Sequence, residues 1–288
     1  MAFRSGFALY HQLVTAPSAE PAAYMFTLHG ILGSGGNWRQ FARRLVERRP
    51  EWGAVLIDLR EHGRSQGAPP PHTVRTAAED LEDLATVLGF DGKQVKGVLG
   101  HSFGGKVALH YRGLAGPDHL STWLIDSAPS ADPNAMFSGS RDDSAVGVLE
   151  LLETMPAEFQ SRQQFVDTAT QRGLSGAVAQ WLAMNYESRD GAYVCRLDLR
   201  SIRALLSDYY DRDLWDLVDD DTMPGDVHAV VAGRSDAVSR NDRDTFASLA
   251  ARYPDRVFVH TIPESGHWVN VDALDRLVDI VATRLVAP

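Results

Sequence analysis

The chain predicts an α/β fold: a mostly parallel, twisted sheet with helices on both faces and a helical insertion late in the sequence. Three observations carry that expectation. Short apolar runs of strand length alternate with segments of helical period, the pattern of strand–helix–strand units. Gly100-His101-Ser102-Phe103-Gly104 fits Gly-x-Ser-x-Gly, in which a serine sits on a sharp turn between a buried strand and a helix. Between Pro129 and about Asp221 the alternation stops and helical spacing takes over.

Strands are expected at residues 23–29, 54–58, 95–100, 122–126, 227–232 and 257–262. Helices are expected between them at 38–49, 74–88, 103–115, 242–253 and 271–285. In the second of these, Leu81, Leu84, Ala85 and Leu88 recur at i, i+3, i+4 and i+7, one helical face. Around the serine, the apolar run 95–99 reads as a buried strand and 106–111 as good helix formers. Gly100 and Gly104 leave room where the two backbones nearly touch. The insertion begins with a polar loop, 130–143, and continues with helical segments at 146–154, 158–171, 177–185 and 201–210. Residues 1–128 and 222–288 therefore read as a core domain and 129–221 as a cap over the sheet edge. The cap's large apolar residues are Met136, Phe137, Met155, Phe159, Phe165, Trp181 and Met184. Most are expected to pack cap against core, and a few to line a pocket.

Composition narrows the classes. A chain of 288 residues, 44% hydrophobic and 23% charged, is an ordinary globular protein. Its net charge of −10 argues against nucleic acid or anionic membrane as partner, since both require a basic surface. The single cysteine, Cys195, excludes a disulfide framework and a multi-cysteine metal site. No apolar run approaches the roughly 18 residues of a membrane span, and the first twenty residues lack a signal-peptide core. A cytoplasmic protein, monomer or homodimer, is expected. The glycine-rich stretch 28–38 matches neither Gly-x-Gly-x-x-Gly nor a Gly-Lys-Ser/Thr loop, so no nucleotide cofactor and no metal are expected.

A serine hydroxyl needs a base within hydrogen-bond reach, itself oriented by an acid. His267 lies in Ser265-Gly266-His267-Trp268, after the last strand and before the last helix. Of the ten histidines it is the one in position to be that base. Two aspartates compete as acid, both at carboxyl ends of strands, where open α/β sheets place ligands. Asp126 ends the strand after the serine, and Asp236 follows the strand at 227–232. An aspartate at such a position also serves as a loop or helix cap, and the residues alone leave both candidates open. For a developing oxyanion, the expected donors are the backbone N–H of Phe103, after the serine, and that of Ile31, with Leu32 second.

At these residues the chain resembles an α/β-hydrolase, nearly end to end. The motifs are Leu28-His29-Gly30, Asp58-Leu59-Arg60-Glu61-His62-Gly63-Arg64-Ser65, the serine turn, and Gly266-His267-Trp268. Glu61 departs from the family pattern, which has glycine there. Within the superfamily the chain looks like the small bacterial acyl esterases and their mitochondrial relatives. That narrower likeness rests on the loop at Leu28–Trp38, which carries one extra glycine, on Gly-His-Ser-x-Gly-Gly-Lys, and on Asp126-Ser127-Ala128-Pro129. The resemblance implies the α/β-hydrolase fold and a serine hydrolase of carboxylic esters or thioesters acting on a small acyl substrate. It also favours Asp126 over Asp236 as acid. Alternatives on the same residues are a cofactor-free perhydrolase, a carbon–carbon bond hydrolase, or a low-turnover hydrolase-fold ligand receptor.

Overall fold

The computed structural model describes residues 7–90, 94–114, 120–137 and 144–287. In chain order its first half runs β1 (His11–Val14), β2 (Ala23–Leu28), α1 (Arg39–Arg48), β3 (Trp52–Ile57), α2 (Val74–Val87), β4 (Val95–His101), α3 (Phe103–Leu114) and β5 (Ser121–Ile125). A long segment follows with α4 (Ala145–Glu153), β6 (Glu158–Phe159), α5 (Arg162–Gln171), α6 (Gly176–Leu182), β7 (Tyr186–Arg189), β8 (Ala192–Cys195) and α7 (Leu199–Asp211). The chain then returns through β9 (Val227–Ala232), α8 (Arg240–Arg252), β10 (Val257–Ile262), α9 (Val269–Asp272) and α10 (Leu274–Arg284).

Seven strands form the main sheet in the order β1-β3-β2-β4-β5-β9-β10. All pairings are parallel except that of β1 with β3. Side chains alternate across it: Met25, Ala54 and Leu56 join one apolar layer with α1 and α10, while Phe26, Val55 and Ile57 join another with α2 and α3. That two-sided burial explains why the strands read as continuous apolar runs. Each fully buried leucine, isoleucine or valine in these layers contributes roughly 1.5–3 kcal/mol.

All six expected strands and five expected core helices form, the strands at 227–232 and 257–262 with the expected ends and the others with shifted ones. The strand expected from Ala54 begins at Trp52, and the helix expected from Asp242 begins at Arg240, capped by Ser239. The helix expected at 271–285 is two helices, α9 and α10, and β1 was not expected at all. The segment between β5 and β9 differs more. Its β6, β8 and β7 make a small antiparallel sheet, so the expected helix 158–171 begins only at Arg162, after the cap Ser161. The helix expected at 177–185 ends at Leu182 and tightens into a 3₁₀ turn, Ala183–Asn185. Of the loop expected at 130–143, residues 138–143 lie outside the described residues, as does Ala115. Phe165, Tyr186, Ile202 and Leu205 of this segment belong to the same apolar cluster as Phe26 and Phe103 of the core.

Candidate active site

The carboxyl end of β4 and the segments that follow β2 and β10 line one cavity of about 430 Å³. Ser102 lies on its floor, between the last residue of β4 and the first of α3, with φ of +51°. An L-residue in the left-handed region is held there only by its surroundings. Here Ser102 N–H donates to Ile125 O (3.0 Å), and Ser102 O accepts from Gly105 N–H (2.9 Å) and Ser127 Oγ–H (2.7 Å). The tightness of the turn excludes side chains beside it. A Cβ at Gly100 would stand 2.0 Å from Gly104 O, and one at Gly104 would stand 2.6 Å from His29 O.

His267 lines the same cavity, and its Nδ1–H donates to Asp126 Oδ2 at 2.7 Å. Asp126 is fully buried and itself left-handed, with φ of +45°. Its Oδ1 accepts Ala232 N–H (3.1 Å), and the Ser235 hydroxyl bonds to it as well. Burial alone would raise its carboxyl, but the bonds from His267, Ser235 and Ala232 together hold it below the usual carboxylate range. Of the two candidate acids, the structure therefore brings Asp126 to the imidazole. Asp236 is exposed in the loop after β9, and the nitrogen it would have to reach is occupied.

Three further histidines surround the site, and sequence reasoning assigned none of them a part. His101 is buried; its Nε2–H donates to His267 O (2.8 Å) and its ring lies 4.5 Å from the His267 ring. Burial lowers its pKa to about 3, so it is neutral. His29 Nδ1–H donates to Gly30 O (2.7 Å) while its Nε2 accepts Leu59 N–H (3.0 Å). His62 Nδ1–H donates to Arg60 O (2.9 Å) while its Nε2 accepts Leu32 N–H (3.0 Å). Burial lowers these two to about 4 and about 3. Each is thus a neutral strut between two loops. The signal was visible in the sequence, since His29 and His101 each stand beside a motif glycine and His62 lies within a motif. The His62 bond engages Leu32 N–H, the second of the two expected donors, while Ile31 lines the same cavity as Ser102.

Glu61, at the position where glycine was expected from the resemblance, has φ of +63°. Its carboxylate accepts Ala68 N–H (2.6 Å), fastening the loop that presents His62. Lys106, one turn into α3, is buried with its Nζ on three carbonyls, those of Ser130, Tyr209 and Arg212, each at 2.7 Å. Burial pulls its ammonium down to about 8. It ties both ends of the segment between β5 and β9 to the helix that follows Ser102.

The wall of the cavity opposite Ser102 is apolar: Val148 of α4, Val178 and Trp181 of α6, Trp268 and Val271. Trp181 and Trp268 face each other at 5.6 Å across the segment–core boundary. Of the segment's other large apolar residues, Phe159 and Phe165 are buried in the core cluster, whereas Phe137 and Met184 are exposed.

The alpha/beta hydrolase family profile matches residues 25–280, nearly the whole of this fold. The chain belongs to the alpha/beta hydrolase family. Among its relatives this hydrolase is 29% identical to sn-1-specific diacylglycerol lipase ABHD11 of Danio rerio over 256 residues, 88% of this chain and 76% of the relative. Against Lipase LipV of Mycobacterium tuberculosis it is 34% identical over 119 residues, 41% of this chain and 40% of that one. A solved marine microorganism esterase superposes with a TM-score of 0.76 at 22% identity, covering 97% of this chain and all of the other. The hydrolase is thus similar in fold to an esterase and in sequence to proteins named as lipases.

Proposed function

We propose that this hydrolase cleaves carboxylic esters or thioesters through an acyl-enzyme on Ser102, with His267 as general base and Asp126 as the acid that orients it. The observation that carries the reading is the 2.7 Å bond from His267 Nδ1 to a fully buried carboxylate, on a histidine sharing its cavity with the Ser102 turn. With Nδ1–H donated to Asp126, the other ring nitrogen, Nε2, is unprotonated and able to accept.

The reaction then runs in two balanced halves. His267 Nε2 takes the Ser102 proton as Oγ bonds to the acyl carbon, and the carbonyl electron pair moves onto oxygen. Phe103 N–H and Ile31 N–H receive that oxyanion, each donor worth about 10²–10³ in rate in comparable sites. Collapse re-forms the carbonyl and breaks the bond to the alcohol or thiol, which leaves with the proton from His267. Water, deprotonated by the same nitrogen, attacks the acyl-enzyme; collapse returns the proton to Ser102 and releases the acid. The Asp126 charge stabilises the imidazolium formed in each half.

The apolar wall of Val148, Val178, Trp181 and Trp268 suits the acyl chain of a small uncharged ester. Residues 129–221 act in this reading as a lid over the pocket, pinned at both ends through Lys106. A panel of p-nitrophenyl esters, acyl thioesters and peroxide-dependent halogenation substrates tests it. Turnover of esters or thioesters that disappears in Ser102→Ala supports the reading. Peroxide-dependent halogenation with negligible ester turnover would overturn it.

A further inference from the structure

Leu32, two residues beyond Gly30 in the turn after β2, is buried with φ of +64° and lines the cavity. A branched side chain in that conformation persists only where neighbouring groups fix it. Three successive peptide groups of the turn are each held. The Gly30 carbonyl accepts from His29 Nδ1–H (2.7 Å) and Gly33 N–H (3.0 Å). Because the peptide is planar and trans, this aims Ile31 N–H the opposite way. The next N–H, that of Leu32, donates to His62 Nε2 (3.0 Å). The carbonyl of Leu32 accepts from Asn185 Nδ2–H (2.9 Å).

The last of these holders differs in origin. His29 and His62 belong to the sheet core, but Asn185 ends the 3₁₀ turn Ala183–Asn185, 153 residues on in sequence. It is buried, and its own position is fixed: Asn185 O accepts Arg196 N–H (3.0 Å), and the Arg196 guanidinium reaches Met184 O (2.5 Å). The segment between β5 and β9 thus supplies one of the three clamps on the turn that carries Ile31 N–H.

We propose that Asn185 is a positioning residue for oxyanion stabilisation, so that seating this segment on the core completes the donor geometry at Ile31. The proposal rests on Ser102 as nucleophile and Ile31 N–H as donor. It predicts a loss weighted to the transition state, because the oxyanion that Ile31 N–H would meet develops only there.

The test compares wild type with Asn185→Ala, Asn185→Ser and Asn185→Asp at a temperature well below each variant's unfolding midpoint. Asn185→Ala is expected to lower kcat about 30-fold, below the loss of a whole donor, with KM changed less than about threefold. A trifluoromethyl ketone, which forms an oxyanion on Ser102, should weaken in parallel with kcat/KM, while the carboxylic acid product keeps its affinity. Asn185→Ser retains a donor and should recover part of the rate. Asn185→Asp sets a carboxylate against the Leu32 carbonyl, and its kcat relative to wild type should rise as pH falls and the carboxyl gains a proton to donate. Wild-type kcat and ketone affinity in Asn185→Ala would overturn the proposal. Equal weakening of ketone and product would also overturn it, by showing general damage to the pocket. Should Asn185→Ala not fold, the Ser and Asp variants decide by the same two readouts. Wild type that a fluorophosphonate fails to label at Ser102 would remove the underlying reading, whereas a labelled wild type with an indifferent Asn185→Ala removes this inference alone.

Discussion

Replacing Asp126 by Asn separates the proposed triad from every other use of that carboxylate. The side chain keeps its volume and its place at the end of β5. Its single remaining acceptor oxygen still takes Ala232 N–H, now 3.1 Å from Oδ1. The group facing His267 Nδ1, at 2.7 Å, becomes an NH₂ donor. To avoid a donor–donor clash the imidazole must accept at Nδ1 and carry its proton on Nε2, the nitrogen that has to receive the Ser102 proton. The corresponding change in serine proteases lowers kcat about 10⁴-fold, or about 5 kcal/mol of transition-state stabilisation. We expect Asp126→Asn to lose about 10³–10⁴ in kcat, with KM nearly unchanged and a native circular dichroism spectrum. Asp236→Asn, at an exposed position, should stay within about twofold. The assay is steady-state hydrolysis of a p-nitrophenyl ester. A folded Asp126→Asn within tenfold of wild type, or collapse of Asp236→Asn, would refute the reasoning.

Three further outcomes follow from the same contacts. His29, His62 and His101 are held neutral, at about 4, 3 and 3, against about 6.5 in the unfolded chain. The unfolded state therefore binds more protons below about pH 6.5, and stability falls as pH drops towards the folded values. That is about 4 kcal/mol lost between pH 7 and 5.5 for the three groups; urea midpoints flat across that range would contradict it. Lys106→Met leaves the carbonyls of Ser130, Tyr209 and Arg212 without their donor. At about 1–3 kcal/mol per orphaned buried group, urea unfolding should show a loss of at least about 3 kcal/mol, and a loss under 1 kcal/mol would show that the contact is replaceable. Trp181→Ala opens the wall that Trp181 shares with Trp268. The ratio of octanoyl to acetyl ester kcat/KM should rise about tenfold, the scale of one methylene in an apolar pocket, and an unchanged ratio would place the acyl chain elsewhere.

The core elements were legible because each is buried on a scale that sequence period reports. A parallel strand such as β5, covered on both faces, has no choice but an unbroken apolar run. β1 escaped notice because four edge residues, His11–Val14, carry neither run nor alternation. The hairpin of β7 and β8 did carry a signal, Asp190-Gly191, the two-residue turn with both φ positive. It falls between the helical segments expected at 177–185 and 201–210, where no element was expected. Ser102 and His267 were legible from motif and order. Asp126 was favoured only by the resemblance, because Asp126 and Asp236 occupy equivalent strand ends, and tertiary geometry shows that the nitrogen is taken by the buried one. Leu32 was open as a donor for the same reason: its engagement by His62, thirty residues away, is invisible to local pattern. Asn185 had no signature at all, since its role arises from where the segment lands.

Fluorophosphonate labelling of native protein, followed by mass-spectrometric location of the adduct, tests the central claim most directly. The account predicts stoichiometric modification at Ser102, abolished in Ser102→Ala and slowed by orders of magnitude in His267→Ala. Absence of labelling at Ser102 in folded wild-type protein, or labelling indifferent to His267, would contradict it.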